Sequence, residues 1–290
     1  MRSSEIVSND EDFLCCGDGQ FGLPSLYVPL SSPIAAESTE PHQISNGESI
    51  ILEQRRPQPR IAEIIETKQL TASTHLIRVV KPEGFSFLAS QSAALMIQKD
   101  YGPQRHAMSI ASSPSRDYLE WATRRSDSDF KKTFLSLQKG DQVTLMGPKG
   151  VFLLEADKDA VFIAGGIGIT AFRSMIDFIT DEGLKTQVLL LYGNHSVDDI
   201  PFKQQFDELS GANPALEISY VISNPPPTPM WDYRVGHIDE DLLREVASTR
   251  SDAIYYVAGP PNMVTSILQT LAVIGIPSEH TRHELFRGYD

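Results

Sequence analysis

Cysteine is nearly absent from this chain of 290 residues, which contains only Cys15 and Cys16. Adjacent cysteines rarely close a disulfide, because the bond needs a wider separation of alpha carbons than neighbours provide. A disulfide scaffold is therefore not expected, and two thiolates are too few for a four-cysteine zinc site or iron–sulfur cluster. We expect no metal site, so any one-electron centre would have to lie on a partner.

Basic residues and long apolar runs are also scarce. The sequence has 25 lysines and arginines against 38 aspartates and glutamates, a net charge of -13, which argues against nucleic acid and anionic membranes as partners. No stretch approaches the length of a membrane span, and the N-terminus lacks the apolar core of a signal peptide. We therefore expect no membrane insertion and a cytoplasmic protein.

The beginning of the chain differs in composition from the rest. Its first fifty residues contain eight acidic residues and one arginine, together with many Ser, Pro and Asn. This composition predicts that residues 1–56 form an acidic, poorly ordered extension. The alternative is that the apolar residues of this segment dock on the folded body.

Short β-rich runs separated by turn residues begin at Arg60. Six such runs, with one helix-sized segment at 128–137, predict a small antiparallel Greek-key barrel over residues 57–152; a sandwich is the alternative. The runs are 61–66, 75–80, 93–98, 108–111, 118–123 and 142–146.

After Phe152 the pattern changes to apolar strands that alternate with helices. Strands are predicted near 161–164, 188–192, 217–222 and 253–258, and helices at 171–180, 200–209 and 238–247. This alternation predicts that residues 153–290 form an α/β domain with a parallel sheet, whose ligands bind at the carboxyl ends of the strands.

The most informative segment is the glycine-rich loop after the first of these strands. Gly165, Gly166 and Gly168 would let the backbone approach a pyrophosphate, and a helix follows near Thr170. The loop therefore predicts a dinucleotide site, although such loops also serve purely structural connections. The next strand leads into Asn194, where a dinucleotide-binding domain often has a ribose-binding acid.

The order of these features resembles the ferredoxin-NADP reductase superfamily, in which an FAD-binding Greek-key barrel precedes a nicotinamide-binding parallel α/β domain. The resemblance extends from about residue 58 to the end. It is carried by segments 87–91, 106–114, 140–141, 147–152, 165–170, 258–263 and 284–289.

In such relatives an R-x-Y-S element supplies an arginine to the FAD pyrophosphate, an aromatic ring to the flavin and a hydroxyl near flavin N5. The aligned residues are His106, Ala107, Met108 and Ser109, and Arg105 stands one place early. The resemblance implies that Ser109 keeps the hydroxyl, that Met108 packs against the flavin, and that Arg105 or His106 meets the phosphate. A neutral histidine offers fewer charge-assisted bonds than an arginine, so weaker FAD binding is expected.

Ser126 and Ser128 are further candidates for the FAD pyrophosphate, because Ser128 precedes a predicted helix. A helix cap without a ligand is the alternative. A basic cluster in the same region either docks an acidic electron carrier or is a solvated surface. The cluster consists of Arg116, Arg124, Arg125, Lys131 and Lys132.

In the second domain the resemblance implies that Thr170 lies beside the nicotinamide, and that Gly165, Gly166 and Gly168 lie under the pyrophosphate. For Thr170, a role as helix N-cap is the alternative.

Near the end of the chain, the turn formed by Gly259 and Pro260 resembles the family's C-G-P motif, with Ala258 in place of cysteine. The resemblance further implies that Glu284 is a carboxylate near the flavin edge. It also implies that the aromatic Tyr289 covers the flavin ring.

As a whole, the resemblance implies an enzyme that uses FAD, accepts hydride from NADH or NADPH and passes electrons to an external acceptor. The acceptor would be a ferredoxin, another iron–sulfur protein, a haem protein or an oxygenase component. The alternatives are a degenerate, non-catalytic module that binds a partner and a reductase of free flavin or ferric iron. The absence of an arginine after Asn194 slightly favours NADH over NADPH.

Overall fold

The protein folds as an antiparallel β-sheet barrel followed by a parallel α/β domain. The structure, a computed structural model, describes residues 58–99, 102–227 and 233–286. These residues belong to one compact unit, Pro57–Asp290. The predicted N-terminal extension, residues 1–56, and the predicted flavin-covering residue Tyr289 lie outside the described residues.

The first half consists of six strands and one helix. They are β1 (Arg60–Gln69), β2 (Thr74–Val80), β3 (Ser92–Lys99), β4 (Gly102–Ser109), β5 (Tyr118–Arg124), α1 (Asp129–Leu135) and β6 (Gln142–Lys149). The strands form one antiparallel sheet in the order β4-β3-β6-β1-β2-β5. Since all six strands belong to a single hydrogen-bonded sheet, the two-sheet sandwich is wrong.

Alternating apolar residues of these strands point into one core. Ile64, Leu95 and Leu145 are fully buried there, and Phe134 of α1 closes it. Trp121 is also fully buried, and its Nε1 donates a hydrogen bond to the Met108 carbonyl at 3.3 Å. This bond joins β5 to β4, the two strands at opposite ends of the sheet.

The second half consists of alternating strands and helices. They are β7 (Ala160–Gly165), α2 (Ile169–Asp181), β8 (Val188–Asn194), α3 (Lys203–Ala212), β9 (Leu216–Ile222), β10 (Arg234–Val235), α4 (Glu240–Thr249), β11 (Ile254–Gly259), α5 (Pro261–Val273) and β12 (Thr281–Leu285). The strands form a parallel sheet in the order β10-β9-β8-β7-β11-β12.

Both faces of this sheet are covered by helices. Every residue of β7 and β11 is buried, which is expected where a parallel sheet has helices on both sides. Phe172 and Phe206, from α2 and α3, pack on one face. Leu243 and Val264, from α4 and α5, pack on the other. The central strands β7 and β11 therefore end side by side, and the glycine-rich loops follow them.

The predicted fold class is confirmed. The sequence analysis did not predict β10, α5 or β12, and it placed the fourth strand at 108–111, whereas β4 is Gly102–Ser109. The barrel boundary at 152 and 153 stays a prediction. Within the described ranges, no helix combines the length and the apolar content needed to cross a bilayer.

Candidate functional site

The barrel and the α/β domain meet at the carboxyl edge of the parallel sheet. There the Ser109 hydroxyl, at the end of β4, donates to Glu284 Oε2 at 3.3 Å. Glu284 belongs to β12 and is paired with Ala258 of β11. The two predicted catalytic residues Ser109 and Glu284, 175 positions apart in the chain, are therefore brought into contact.

The carboxyl group of Glu284 titrates far from its ordinary range. Burial raises the pKa of Glu284 to about 7, and the hydrogen bond from Ser109 acts in the opposite direction. Burial has the larger effect because a charged carboxylate loses solvation that one hydroxyl does not replace. Near neutral pH this site therefore holds a carboxyl group that exchanges a proton readily.

The glycine loop is shaped by packing against the turn that follows β11. A β-carbon on Gly165 would lie 2.2 Å from Met263 Sδ, and one on Gly168 would lie 2.5 Å from the Ala258 carbonyl oxygen. The alpha carbon of Gly259 lies in the same contact, 2.9 Å from the added atom on Gly168. Gly168 is therefore required by the close approach of two backbones, independently of any ligand, whereas at Gly165 the added atom would meet the side chains of Met263 and Pro260.

Pro260 belongs to the same contact. Its Cδ would lie 3.0 Å from a β-carbon on Gly165, and Pro260 is also the residue that precedes helix α5. The predicted dinucleotide loop and the predicted Gly259-Pro260 turn are thus one packed unit at the end of β7 and β11.

Gly166 differs from its two neighbours. Its φ of +52° lies in the left-handed region, which favours glycine. A β-carbon there would meet no backbone and would lie 3.6 Å from Cζ of Arg124, a barrel residue. Gly166 is therefore the loop glycine that faces the barrel.

Thr170 is the second residue of α2 and is buried, and its hydroxyl donates to the Ile167 carbonyl oxygen at 3.1 Å. The N-cap alternative for Thr170 is wrong, because Gly168 occupies that position.

Strand β4 presents its predicted FAD-binding residues at the edge of the barrel. Arg105, His106 and Ala107 are exposed, whereas Met108 is partly buried and packs on the barrel core. The His106 ring meets Phe130 of α1 edge-on, with 5.1 Å between ring centroids. Strand β4 is also an end strand of its sheet, so its outer edge is accessible to a ligand.

Ser126 and Ser128 lie beside this strand, at the start of α1. Ser128 is the N-cap of α1, and its hydroxyl accepts a hydrogen bond from the Lys131 amide at 3.3 Å. The Ser126 and Ser128 hydroxyl oxygens are 3.5 Å apart. The predicted cap is confirmed, and the predicted contact of both serines with FAD stays a prediction.

Lys131 and Arg124 form a cationic series that runs from the neutral His106 on β4 to the glycine loop. Burial, and then the nearby Lys131, lower the pKa of His106. Burial, and then the nearby Arg124, lower the pKa of Lys131. Arg124 in turn reaches Gly166. The positive charge of one side chain disfavours the protonated form of the next, so an anion placed along the series would stabilise it.

Arg124 is the residue whose role the sequence analysis missed, because it was considered only as a member of a surface cluster. Its Nε and Nη2 atoms are buried and have no hydrogen-bond partner within the described part of the chain. The nearest carboxylate belongs to Asp199, 3.5 Å from Nη2. Its position at the end of β5, two residues before Ser126, was the available signal.

The rest of the predicted basic cluster is divided. Arg116 pairs with Asp181, and Lys132 lies 3.8 Å from Asp127. Arg125 is exposed. The five residues therefore do not form one uniform cationic surface.

Comparison with known proteins agrees with this geometry. Residues 162–269 match the oxidoreductase NAD-binding domain family. The chain is 32% identical over 156 residues to NADH-cytochrome b5 reductase 1 of Candida glabrata, which covers 52% of this chain and 54% of that protein. It is 27% identical over 215 residues to the phenol hydroxylase P5 protein of Acinetobacter pittii, covering 72% and 60%.

Among solved structures, a ferredoxin NADP+ reductase from Neisseria gonorrhoeae with bound FAD and NADP superimposes with a TM-score of 0.68. The identity is 22%, and the match covers 78% of this chain and 98% of that one. The chain aligns with about half the length of the first curated relatives, 54% and 39% for the first two. The barrel, the parallel α/β domain and these matches show that the chain has the two-domain fold of a ferredoxin NADP+ reductase, with an oxidoreductase NAD-binding domain at residues 162–269.

Proposed function

We propose that this chain is an FAD-dependent oxidoreductase that accepts hydride from NADH or NADPH and passes electrons to an external acceptor protein. The observation that carries the proposal is the Arg124 guanidinium, which faces Gly166 across the junction of the two domains; its buried Nε and Nη2 form no hydrogen bond within the described residues, although Asp199 lies 3.5 Å from Nη2. A buried donor without a partner costs about 1 to 3 kcal/mol, so this arrangement is best explained by an anionic ligand.

The residues around Arg124 fit two dinucleotides. On the barrel side, His106 and Lys131 lie beside the predicted FAD strand, with the hydroxyls of Ser126 and Ser128 close by. On the other side, the loop at Gly166 opens toward the same guanidinium. Two pyrophosphates would neutralise the cationic series, which supports FAD on β4 and a nicotinamide dinucleotide on the glycine loop.

When bound, FAD supplies a centre that accepts a hydride and releases electrons singly, and the protein supplies orientation and electrostatics. Strand β4 and the end of β12 form a corner lined by Ser109 and Glu284, which are joined by a hydrogen bond of 3.3 Å. The burial that raises the pKa of Glu284 to about 7 lets this corner hold a proton at the carboxyl group.

The choice of donor and acceptor follows from two further observations. The eight residues after Asn194 contain no arginine or lysine, and the relatives named above include an NADH-cytochrome b5 reductase, so we propose NADH as the preferred donor. The relatives named above include an NADH-cytochrome b5 reductase and a ferredoxin NADP+ reductase, so we propose a haem or iron–sulfur protein as the acceptor. We place the reaction in the cytoplasm, where these nucleotides are available.

The first test is the visible spectrum of the purified protein supplemented with FAD, followed by anaerobic addition of NADH and then NADPH. We expect a bound-flavin spectrum that bleaches with NADH at a lower concentration than with NADPH. Failure to retain FAD would overturn the proposal and favour a non-catalytic module. Fast turnover with free flavin but none with a ferredoxin or cytochrome would favour a reductase of small acceptors.

A further inference from the structure

Helix α2 begins at the glycine loop and sends two consecutive side chains into the barrel. Arg173 is 5% exposed and Ser174 is fully buried. Neither residue lies in the loop or in the predicted cofactor set. Buried arginines are rare in proteins unless they are paired, so the partners of Arg173 show what it does.

The guanidinium of Arg173 joins the two domains. Its Nη1 donates to the Ala111 carbonyl oxygen at 2.9 Å and to Glu120 Oε2 at 2.5 Å, and both acceptors belong to the barrel. Its Nε donates to Gln205 of α3 at 2.9 Å. Its Cζ lies 4.6 Å from the centre of the Phe202 ring, a cation–π contact.

Glu120 extends this contact into the barrel sheet. It is 1% exposed, and its Oε1 accepts two hydrogen bonds from Arg78 of β2, at 2.9 and 2.7 Å. One buried carboxylate is thus held between an arginine of each domain. Arg78 bonds to Oε1 and Arg173 to Oε2, so the two arginines fix the orientation of the carboxylate from both sides and the three groups form a hydrogen-bonded unit.

Ser174 makes a second, shorter connection. Its hydroxyl donates to the Ser112 carbonyl oxygen at 2.7 Å and accepts from the Ser90 amide at 3.1 Å. Arg173 and Ser174 therefore hold the consecutive carbonyls of residues 111 and 112 from the same turn of α2.

We call the bonds from Arg173 and Ser174 to the carbonyls of residues 111 and 112 the clamp. Its position in the sequence is close to both halves of the candidate site. Arg173 comes three residues after Thr170, the predicted nicotinamide contact, and Ala111 comes two residues after Ser109, which faces Glu284. The clamp thus joins, through hydrogen bonds, backbone two residues after Ser109 to a side chain three residues after Thr170. A shift at Arg173 would be transmitted directly to the distance between donor and acceptor.

We propose that Arg173 is a positioning residue that sets the distance and angle between the nicotinamide and the flavin. The proposal rests on the proposed function. Only a planar guanidinium reaches Ala111, Glu120 and Gln205 together, since a lysine ammonium is a single point donor on a flexible stem. Small misplacements of reacting atoms cost up to about 100-fold in rate, so the effect of losing the planar guanidinium is measurable.

The test is the substitution Arg173→Lys in the full chain loaded with FAD. We expect the rate of flavin reduction at saturating NADH to fall by roughly 10- to 100-fold, while the affinities for FAD and NADH stay close to those of the wild type. The matched control is Arg116→Lys, because Arg116 also joins the barrel to α2, through Asp181, but is exposed. This control should keep the wild-type rate.

A second readout does not depend on the reaction. Spin labels at Lys139→Cys in the barrel and Lys185→Cys in the α/β domain, both exposed sites, report the distance between the domains once Cys15 and Cys16 are replaced by serine. We expect Arg173→Lys to broaden or shift the distance distribution and Arg116→Lys to leave it unchanged. If Arg173→Lys does not fold, Ser174→Ala carries the same test, with an expected loss of roughly threefold to tenfold in the reduction rate.

Two results would overturn the proposal: a wild-type rate of flavin reduction in the folded variant, or a loss of rate explained entirely by weaker FAD or NADH binding. If neither nucleotide reduces the wild-type protein, the proposed function fails instead. The spin-label distances then still decide whether Arg173 fixes the two domains relative to each other.

Discussion

The two halves of the candidate site are built in opposite ways. In the barrel, Arg105, His106 and Ala107 are exposed on an end strand and lie outside the buried core, which the His106 ring touches through Phe130. In the α/β domain, Gly168 and Thr170 are buried, and the loop is fixed by packing against the turn after β11. Binding and folding are therefore separable in the first half, whereas in the second the same atoms serve both.

The substitution expected to have the largest effect on stability, and so to test this difference first, is Gly168→Ala. The added β-carbon would lie 2.5 Å from the Ala258 carbonyl oxygen, so two backbones must separate. We expect a loss of about 3 kcal/mol in the free energy of unfolding, measured by urea denaturation. The control is Gly211→Ala in α3, where nothing lies near the added atom and a gain of about 0.5 to 1 kcal/mol is expected. An unchanged stability for Gly168→Ala would mean that the ligand, not packing, requires this glycine.

Glu284, at the meeting point of the two halves, gives the next largest effect. Its pKa is raised from 4.5 to about 7 by burial, so between these pH values the folded protein keeps a proton that the unfolded chain releases. Stability should therefore fall as the pH rises from 5 to 8, by about 1 to 3 kcal/mol from this group.

Glu284→Gln removes this group, and urea denaturation at pH 5 and pH 8 measures the result. We expect the variant to lose that part of the pH dependence. The exposed Glu279, replaced by Gln, is the control and should keep the wild-type difference. A variant with the same pH dependence as the wild type would contradict the assignment.

Arg124→Gln tests the residue that lies between the two halves. Its buried nitrogens are expected to bind phosphate, and a charged hydrogen bond of this kind contributes about 1.5 to 3 kcal/mol. The dissociation constant for NADH should therefore rise roughly 10- to 100-fold, measured by titration of the FAD-loaded protein. Arg125→Gln, the exposed neighbour, should have little effect. Equal effects of the two substitutions would point to general electrostatics.

His106→Arg should give the smallest effect and the one most specific to binding. The side chain is exposed and a guanidinium can form two bonds to a phosphate, so FAD affinity should rise by roughly threefold to tenfold. The unfolding free energy of the protein without FAD should change by no more than about 1 kcal/mol, because the edge-on contact with Phe130 is lost. A change in stability without a change in FAD affinity would show that β4 does not separate binding from folding.

Sequence periodicity was sufficient for the order of the elements but not for their ends. The fourth strand was predicted at 108–111, whereas the observed strand begins with Gly102 and Pro103, which have low β propensity. In the structure, β4 pairs with β3 over its whole length, from Lys99 opposite Gly102 to Ser92 opposite Ser109. Pairing with the neighbouring strand thus outweighed the local β propensity. The pattern of a single sequence does not contain this pairing.

The sequence predicted the residues of the candidate site better than it predicted the contacts between them. The resemblance named Ser109 and Glu284, which the structure joins, but it gave no sign that Arg173 would be buried against Glu120. Long-range pairs of this kind depend on how two domains pack, and an arginine in a predicted helix is most often exposed. The role of Arg124 was missed for the same reason.

The hydrogen bond from Trp121 to the Met108 carbonyl has a practical consequence. The chain has two tryptophans, and the other, Trp231, lies outside the described residues. Trp121 is fully buried and attached to the strand on which we place FAD. An isoalloxazine absorbs at the wavelengths that indole emits, so a flavin on β4 would quench the emission of Trp121. With Trp231→Phe in place, the protein carries its own fluorescent indicator of cofactor loading.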